Sequence, residues 1–142
     1  MRQGEIIIMG IAMAIIAGVI FGRVVAVHNN LESYKPYATY TRLIHIASGC
    51  DKYEEQTGAW PSSLAQLLNG HPEFSAPWDK DTWGREVILL PYNESIGYGE
   101  VISYGRDGKP GGVGLDKDLI VRFPAQSNAD WNKQQGVGLP KP

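Results

Sequence analysis

One cysteine, Cys50, is the only thiol in the sequence, so a disulfide within a chain is excluded. Runs of Lys or Arg are also missing. Thirteen basic and fifteen acidic residues leave a formal charge of −2, with no basic stripe to mark a nucleic-acid footprint or a polybasic membrane patch. His28, His45 and His71 are scattered, and none falls at a metal-ligand spacing. There is no Gly-x-Ser-x-Gly elbow, and Gly108-Lys109 is followed by Pro110 where a phosphate loop needs Ser or Thr. Asp79 and Asp81 are the pair that carboxylate acid–base chemistry would use. In an aromatic, Pro-rich loop such aspartates more often cap turns. A secreted enzyme built on that pair is therefore the minor reading, and no enzyme is expected.

What is abundant is apolar residues near the start. Ile6 to Val27, IIIMGIAMAIIAGVIFGRVVAV, is interrupted in charge only by Arg23. As a helix it covers roughly 33 Å, against a hydrocarbon core of about 30 Å. Three readings compete: a single-pass anchor, a cleavable secretory signal ending near Val24-Val25-Ala26, and a buried core helix. The run is longer than a usual signal core, and a head of this size cannot surround a helix that is apolar on all sides. The anchor is the expectation, with residues 1–28 as the transmembrane helix, 29–123 as a globular head and 124–142 as a tail. The flanking charges do not set the orientation. A cytoplasmic amino terminus with a translocated head is expected, because only four residues precede Glu5.

Asn29-Asn30 and Pro36 predict a break or bend, through which the helix can continue. From Ala38 to Gln56 the pattern is helical, with Leu43, Ile46, Ala47, Cys50, Tyr53 and Thr57 on one face and Gly58 as its stop. Cys50 on that stripe reads as a small buried hydrophobe; the alternative is a reactive thiol. Ser63 and Gln66 form a capping box for a short helix ending at Gly70. Residues 71–85 read as an ordered loop pinned by its aromatics. Three strands follow, at 86–92, 97–104 and 119–123. The first two are joined as a hairpin through Asn93-Glu94-Ser95-Ile96. From Pro124 onward the chain is polar and reads as loosely held.

Between the second and third strands lies Ser103 to Asp118, with five glycines between positions 105 and 114. Glycines let the backbone turn its carbonyls inward. Asp107, Asp116 and Asp118 bracket them. Carboxylates with inward carbonyls suit a hard cation such as Ca²⁺. The equally weighted alternative is a solvated turn with Asx caps. An EF-hand is excluded: with Asp107 first and Asp118 twelfth, Lys109 and Gly111 fall where oxygen side chains are required.

The order of pieces resembles the major pseudopilin of type II secretion systems. An apolar helix leads to an amphipathic one ending Tyr53-Glu54-Glu55-Gln56-Thr57-Gly58-Ala59-Trp60-Pro61. A short helix, Asp81-Thr82-Trp83-Gly84-Arg85, a hairpin and Ser103-Tyr104-Gly105-Arg106-Asp107-Gly108-Lys109-Pro110-Gly111-Gly112 follow. The likeness covers about residues 38–119. It implies a calcium loop with Asp107 as first carboxylate ligand, Asp118 as last, Asp116 as a third, and the carbonyls of Tyr104 and Lys109 completing the shell. It also implies processing between Gly4 and Glu5. The amino terminus departs from the family pattern, which opens the mature helix with Phe-Thr-x-x-Glu; here Met9 stands where that glutamate would be.

The expectation is an α+β head with a long amino-terminal helix packed on a small antiparallel sheet. Its role is a structural pseudopilin, stapled by calcium and anchored in the inner membrane with its head in the periplasm. Its partners would be copies of itself, through the amino-terminal helices, and other secretion-system subunits, with no nucleic acid. The alternative is an uncleaved, membrane-anchored calcium-binding envelope module that forms no filament.

Overall fold

Helix α1 spans Gln3–Thr57 and runs unbroken through Pro36. The computed structural model describes residues 3–70 and 78–125, with side chains at 15–27, 31–69 and 78–125. Proline deletes one backbone N–H, a loss that a long helix can absorb. Beside it, Thr82 Oγ1 donates to the Lys35 carbonyl at 3.0 Å and lies 2.6 Å from the buried Thr39 Oγ1, so a side chain from outside the helix braces this turn.

The chain divides into two units, Met1–Tyr34 and Lys35–Pro142. In the first, Ile15, Ile16, Val19, Ile20, Phe21 and Val24 are all exposed, and these residues lie on every side of the helix. Among the described residues no helix is long and apolar enough to cross a membrane. The expected span, Ile6 to Val27, falls partly on 6–14, outside the residues whose side chains are described.

The second unit is organised by the apolar stripe of α1. Leu43, Ile46, Ala47 and Cys50 are buried as their spacing predicts, Tyr53 is half-buried, and Thr57 is exposed. Gly58, at φ +74°, donates to the Glu54 carbonyl and ends the helix. Helix α2 is Leu64–Gly70. Its cap is offset by one residue from the expected box. Ser63 Oγ does accept from Gln66 N–H at 3.2 Å, but Gln66 Oε1 reaches back to Ser62 N–H, not to Ser63. Gln66 Nε2 also donates to Tyr53 Oη, tying α2 to α1.

Strands β1 (Ile88–Asn93), β2 (Tyr98–Ser103) and β3 (Leu119–Phe123) form one antiparallel sheet in that order. Alternation puts Val101, Val121 and Phe123 on the face that packs on Leu43, Ile46 and Leu67. Isoleucines Ile88, Ile102 and Ile120 pair across the strands on the other face. β1 is shorter than the apolar pattern predicts, because Glu86 is drawn into an isolated bridge with Lys80. Pro91 has no N–H to give the ladder, and the register slips between Leu90 and Asn93. The hairpin forms where expected, with Asn93 Oδ1 accepting from Ser95 N–H. Gly99 is required by contact: a Cβ there would run into the Phe123 ring, which packs against Trp60, itself stacked on Tyr92.

Past β3, Ala125 N–H donates to Asp51 Oδ2 at 3.1 Å, fastening the chain back onto α1. Residues 126–142 of the expected tail and 71–77 of the expected aromatic loop lie outside the described residues. Asp51 Oδ1 is buried, with no hydrogen-bond partner among the described residues. Burial pushes the Asp51 carboxyl above its ordinary value, Glu55 and Glu54 add to that, and the Ala125 N–H opposes it. Its neighbour Cys50 is pushed up to about 12 by burial and by the Asp51 charge, which leaves the thiol inert at neutral pH. Because folding raises the Asp51 pKa, the folded state binds this proton more tightly than the unfolded chain does. Stability from this group is full below its unfolded value and is lost as pH rises through the folded one. Asp51→Asn keeps an acceptor for Ala125 and removes the charge. It should stabilise the protein at pH 7 by about 0.5 kcal/mol, with the gain vanishing as pH falls below the ordinary aspartate range, read by chemical denaturation at both pH values.

Candidate functional site

A single carboxylate sets up the loop between β2 and β3. Asp81 is 3 % exposed. Its Oδ1 accepts from the N–H groups of Trp83 and Arg85, each at 2.9 Å, and its Oδ2 accepts from Ser103 Oγ at 2.7 Å. Asp81 N–H donates to the Arg85 carbonyl, closing the turn on itself. Ser103, the last residue of β2, accepts in turn from Gly105 N–H at 3.2 Å. Asp81 is thus the turn cap that its setting predicts, and it also fixes where the loop leaves the sheet. Asp79 is exposed and stands outside this network.

Arg85 completes the footing. Its Nε and Nη2 both donate to the Arg106 carbonyl, at 3.1 and 2.9 Å. Gly108 lies over the Arg85 side chain so closely that a Cβ would sit 2.8 Å from Cδ. Gly105, at φ +64°, presses against the backbone of Leu115, Asp116 and Lys117, where a side chain has no room. Arg106 N–H donates to the Leu115 carbonyl at 2.9 Å, and its guanidinium makes a two-pronged pair with Asp116, Nε to Oδ1 at 2.8 Å and Nη2 to Oδ2 at 2.9 Å. These hydrogen bonds hold the Asp116 carboxyl below its ordinary value.

The sequence-predicted donors have distinct placements. Asp107 is exposed, and its Oδ1 accepts from Lys109 N–H at 3.1 Å in an Asx turn. Asp116 has both oxygens on Arg106. Asp118 Oδ2 accepts from Gly111 N–H at 2.9 Å, and Asp118 N–H donates to the Gly111 carbonyl, so Asp118 clasps the far end of the loop. Asp118 Oδ1 is buried with no partner among the described residues. Tyr104 is half-buried and Lys109 exposed. Gly4 and Glu5 lie outside the residues whose side chains are described. Among the described residues no three His, Cys, Asp or Glu side chains stand together as a metal group. The feature of this loop that fits a cation is the orphaned Asp118 Oδ1.

Two parts of the site escape a reading by composition and spacing: the grip of Arg85 on the Arg106 carbonyl and the Arg106–Asp116 pair. The only signal for the first is the compact Asp-x-Trp-Gly-Arg segment itself.

This arrangement coincides with a known family. The family model described as type II secretion system (T2SS), protein G, matches residues 26–122, more than half of the 142-residue chain. The chain belongs to that family. The match includes the amphipathic part of α1, the Asp81 turn, the sheet and the whole glycine-rich loop. No curated protein matches the chain. Protein G is the major pseudopilin, a structural component of the secretion system.

Within this pseudopilin, Asp81→Ala would strand the Trp83 and Arg85 N–H groups and the Ser103 hydroxyl in a buried place. It should cost about 3 kcal/mol, while Arg85→Ala, at the exposed rim, should cost about 1 kcal/mol. Denaturant midpoints of the two variants check the order.

Proposed function

We propose that the chain is a non-enzymatic structural subunit of a type II secretion pseudopilus. Its head would sit in the periplasm, and Ile6 to Val27 would lie in the inner membrane before assembly. The family match over the amphipathic helix and head is the observation that carries this reading. The exposed apolar side chains of Ile15–Val27 support a helix that meets lipid or other copies of itself, with further secretion-system subunits as partners. Absence of Phe at the start and Met at position 9 favour a second reading, an uncleaved envelope module that forms no filament. Mass analysis of the native amino terminus separates the two. A start at Glu5 supports the subunit, and retention of Met1 supports the module.

The loop is proposed to take up Ca²⁺ through Asp118, with Asp107 and the carbonyls of Tyr104 and Lys109. Asp116 joins only by leaving Arg106. The unpartnered Asp118 Oδ1 supports this assignment. Bound calcium would neutralise the loop carboxylates and hold the loop shut. Chelation should lower the melting temperature by several degrees, about what a loss of 1–2 kcal/mol gives in a domain this size, and Asp118→Ala should remove that response. Equal melting with and without Ca²⁺ would count against the site.

A further inference from the structure

Positions 6–31 hold no Asp or Glu and one permanently charged residue, Arg23. Arg23 is exposed, and no described residue partners it. Its own helix has no carboxylate in reach. Glu32, the next one along α1, is nine residues on, about 13 Å along the axis and half a turn round it. Apart from Arg23, every side chain from Ile15 to Val27 is apolar or a glycine, and all are exposed. They lie on every side of the helix. One neighbouring helix covers one side of such a rod, whereas lipid covers all of it. A guanidinium in that setting is costly unless an anion at the membrane surface meets it.

We propose that Arg23 binds the phosphate of a phospholipid in the leaflet nearer the head, and that this contact sets how deep α1 lies in the bilayer. The inference rests on the membrane placement of Ile6 to Val27 above and deepens it, because it names a ligand and a depth. A guanidinium offers paired N–H groups in a fixed fork, which two phosphate oxygens accept together. Ile6 to Gly22 is seventeen residues, about 25 Å of helix, against a hydrocarbon core of about 30 Å. The Cα–Cβ bonds of a helix tilt toward its amino terminus, so at this end of the span Arg23 starts out aimed at the bilayer centre. Its reach toward the surface is therefore short, and the phosphate comes down to it as the leaflet thins. Val24 to Val27 then stand among the headgroups, up to about 6 Å beyond Arg23.

Two measurements on the full chain in phosphatidylethanolamine–phosphatidylglycerol vesicles test this. In solid-state NMR with ¹³C-arginine, lipid ³¹P should dephase a guanidinium carbon signal that disappears in Arg23→Gln. Depth is read by a membrane-impermeant maleimide on Val27→Cys, since the native Cys50 is buried. That thiol should label readily, Arg23→Lys should keep the labelling, and Arg23→Leu should slow it about tenfold as the helix sinks into lipid. An Arg23 carbon that ³¹P leaves undephased in chains that float with the vesicles overturns the proposal and leaves the membrane placement standing. Equal dephasing in galactolipid vesicles supplied with inorganic phosphate means a free anion and overturns the lipid as ligand. Labelling of Val27→Cys that Arg23→Leu does not change overturns the role in depth. A chain that stays in the aqueous fraction when the vesicles are floated overturns the membrane placement and the proposal together.

Discussion

The Asp81 carboxylate is the constraint on which the head depends. It is a small group in a buried place, and it accepts three hydrogen bonds from two different parts of the chain. Two of them close the turn that carries Thr82 and Arg85. The third catches the end of β2. Thr82 then reaches α1 at Lys35 and Thr39, and Arg85 reaches the loop at Arg106. Helix, sheet and loop are thus joined through one five-residue segment, at a point where the apolar core offers little. Burying an acceptor that has all its donors costs little, and leaving those donors without it costs much.

The glycine-rich loop follows from that footing. With its start fixed by Ser103 and its middle resting on Arg85, it can close only if the backbone passes very near itself at Gly105 and near Asp116 at Gly112. Asp118 clasps Gly111 at the far end, and the Arg106–Asp116 pair braces the outside. The result is a loop held by close backbone approach and by the side chains of Arg85, Arg106, Asp116 and Asp118, with one buried oxygen left over.

The sequence made much of this fold legible. The three-and-four spacing from Leu43 to Cys50 announced the buried face of α1. Alternation around Val121 announced β3, and the Asn93-Glu94-Ser95-Ile96 connection announced the hairpin. Continuity through Pro36 was not legible, because it rests on Thr82, forty-six residues downstream, bracing the turn beside the proline. The exact cap of α2 was missed by one residue, since Ser62 and Ser63 offer the same chemistry and only geometry chooses between them. At the loop, spacing flagged the three aspartates but could not see that Arg106 occupies Asp116, a pairing ten residues apart that depends on how the glycines fold.

Amide hydrogen exchange of the folded chain tests the role of Asp81 most directly. The N–H groups of Trp83, Arg85 and Gly105 lie in short turns, which ordinarily exchange within the fast set. If the buried carboxylate and the Ser103 hydroxyl hold them, they should be protected to the same degree as Val101 in the centre of β2 and should open with it as denaturant rises. Exchange of those three amides at the rate of the exposed hairpin turn around Ser95, with Val101 still protected, would contradict the account.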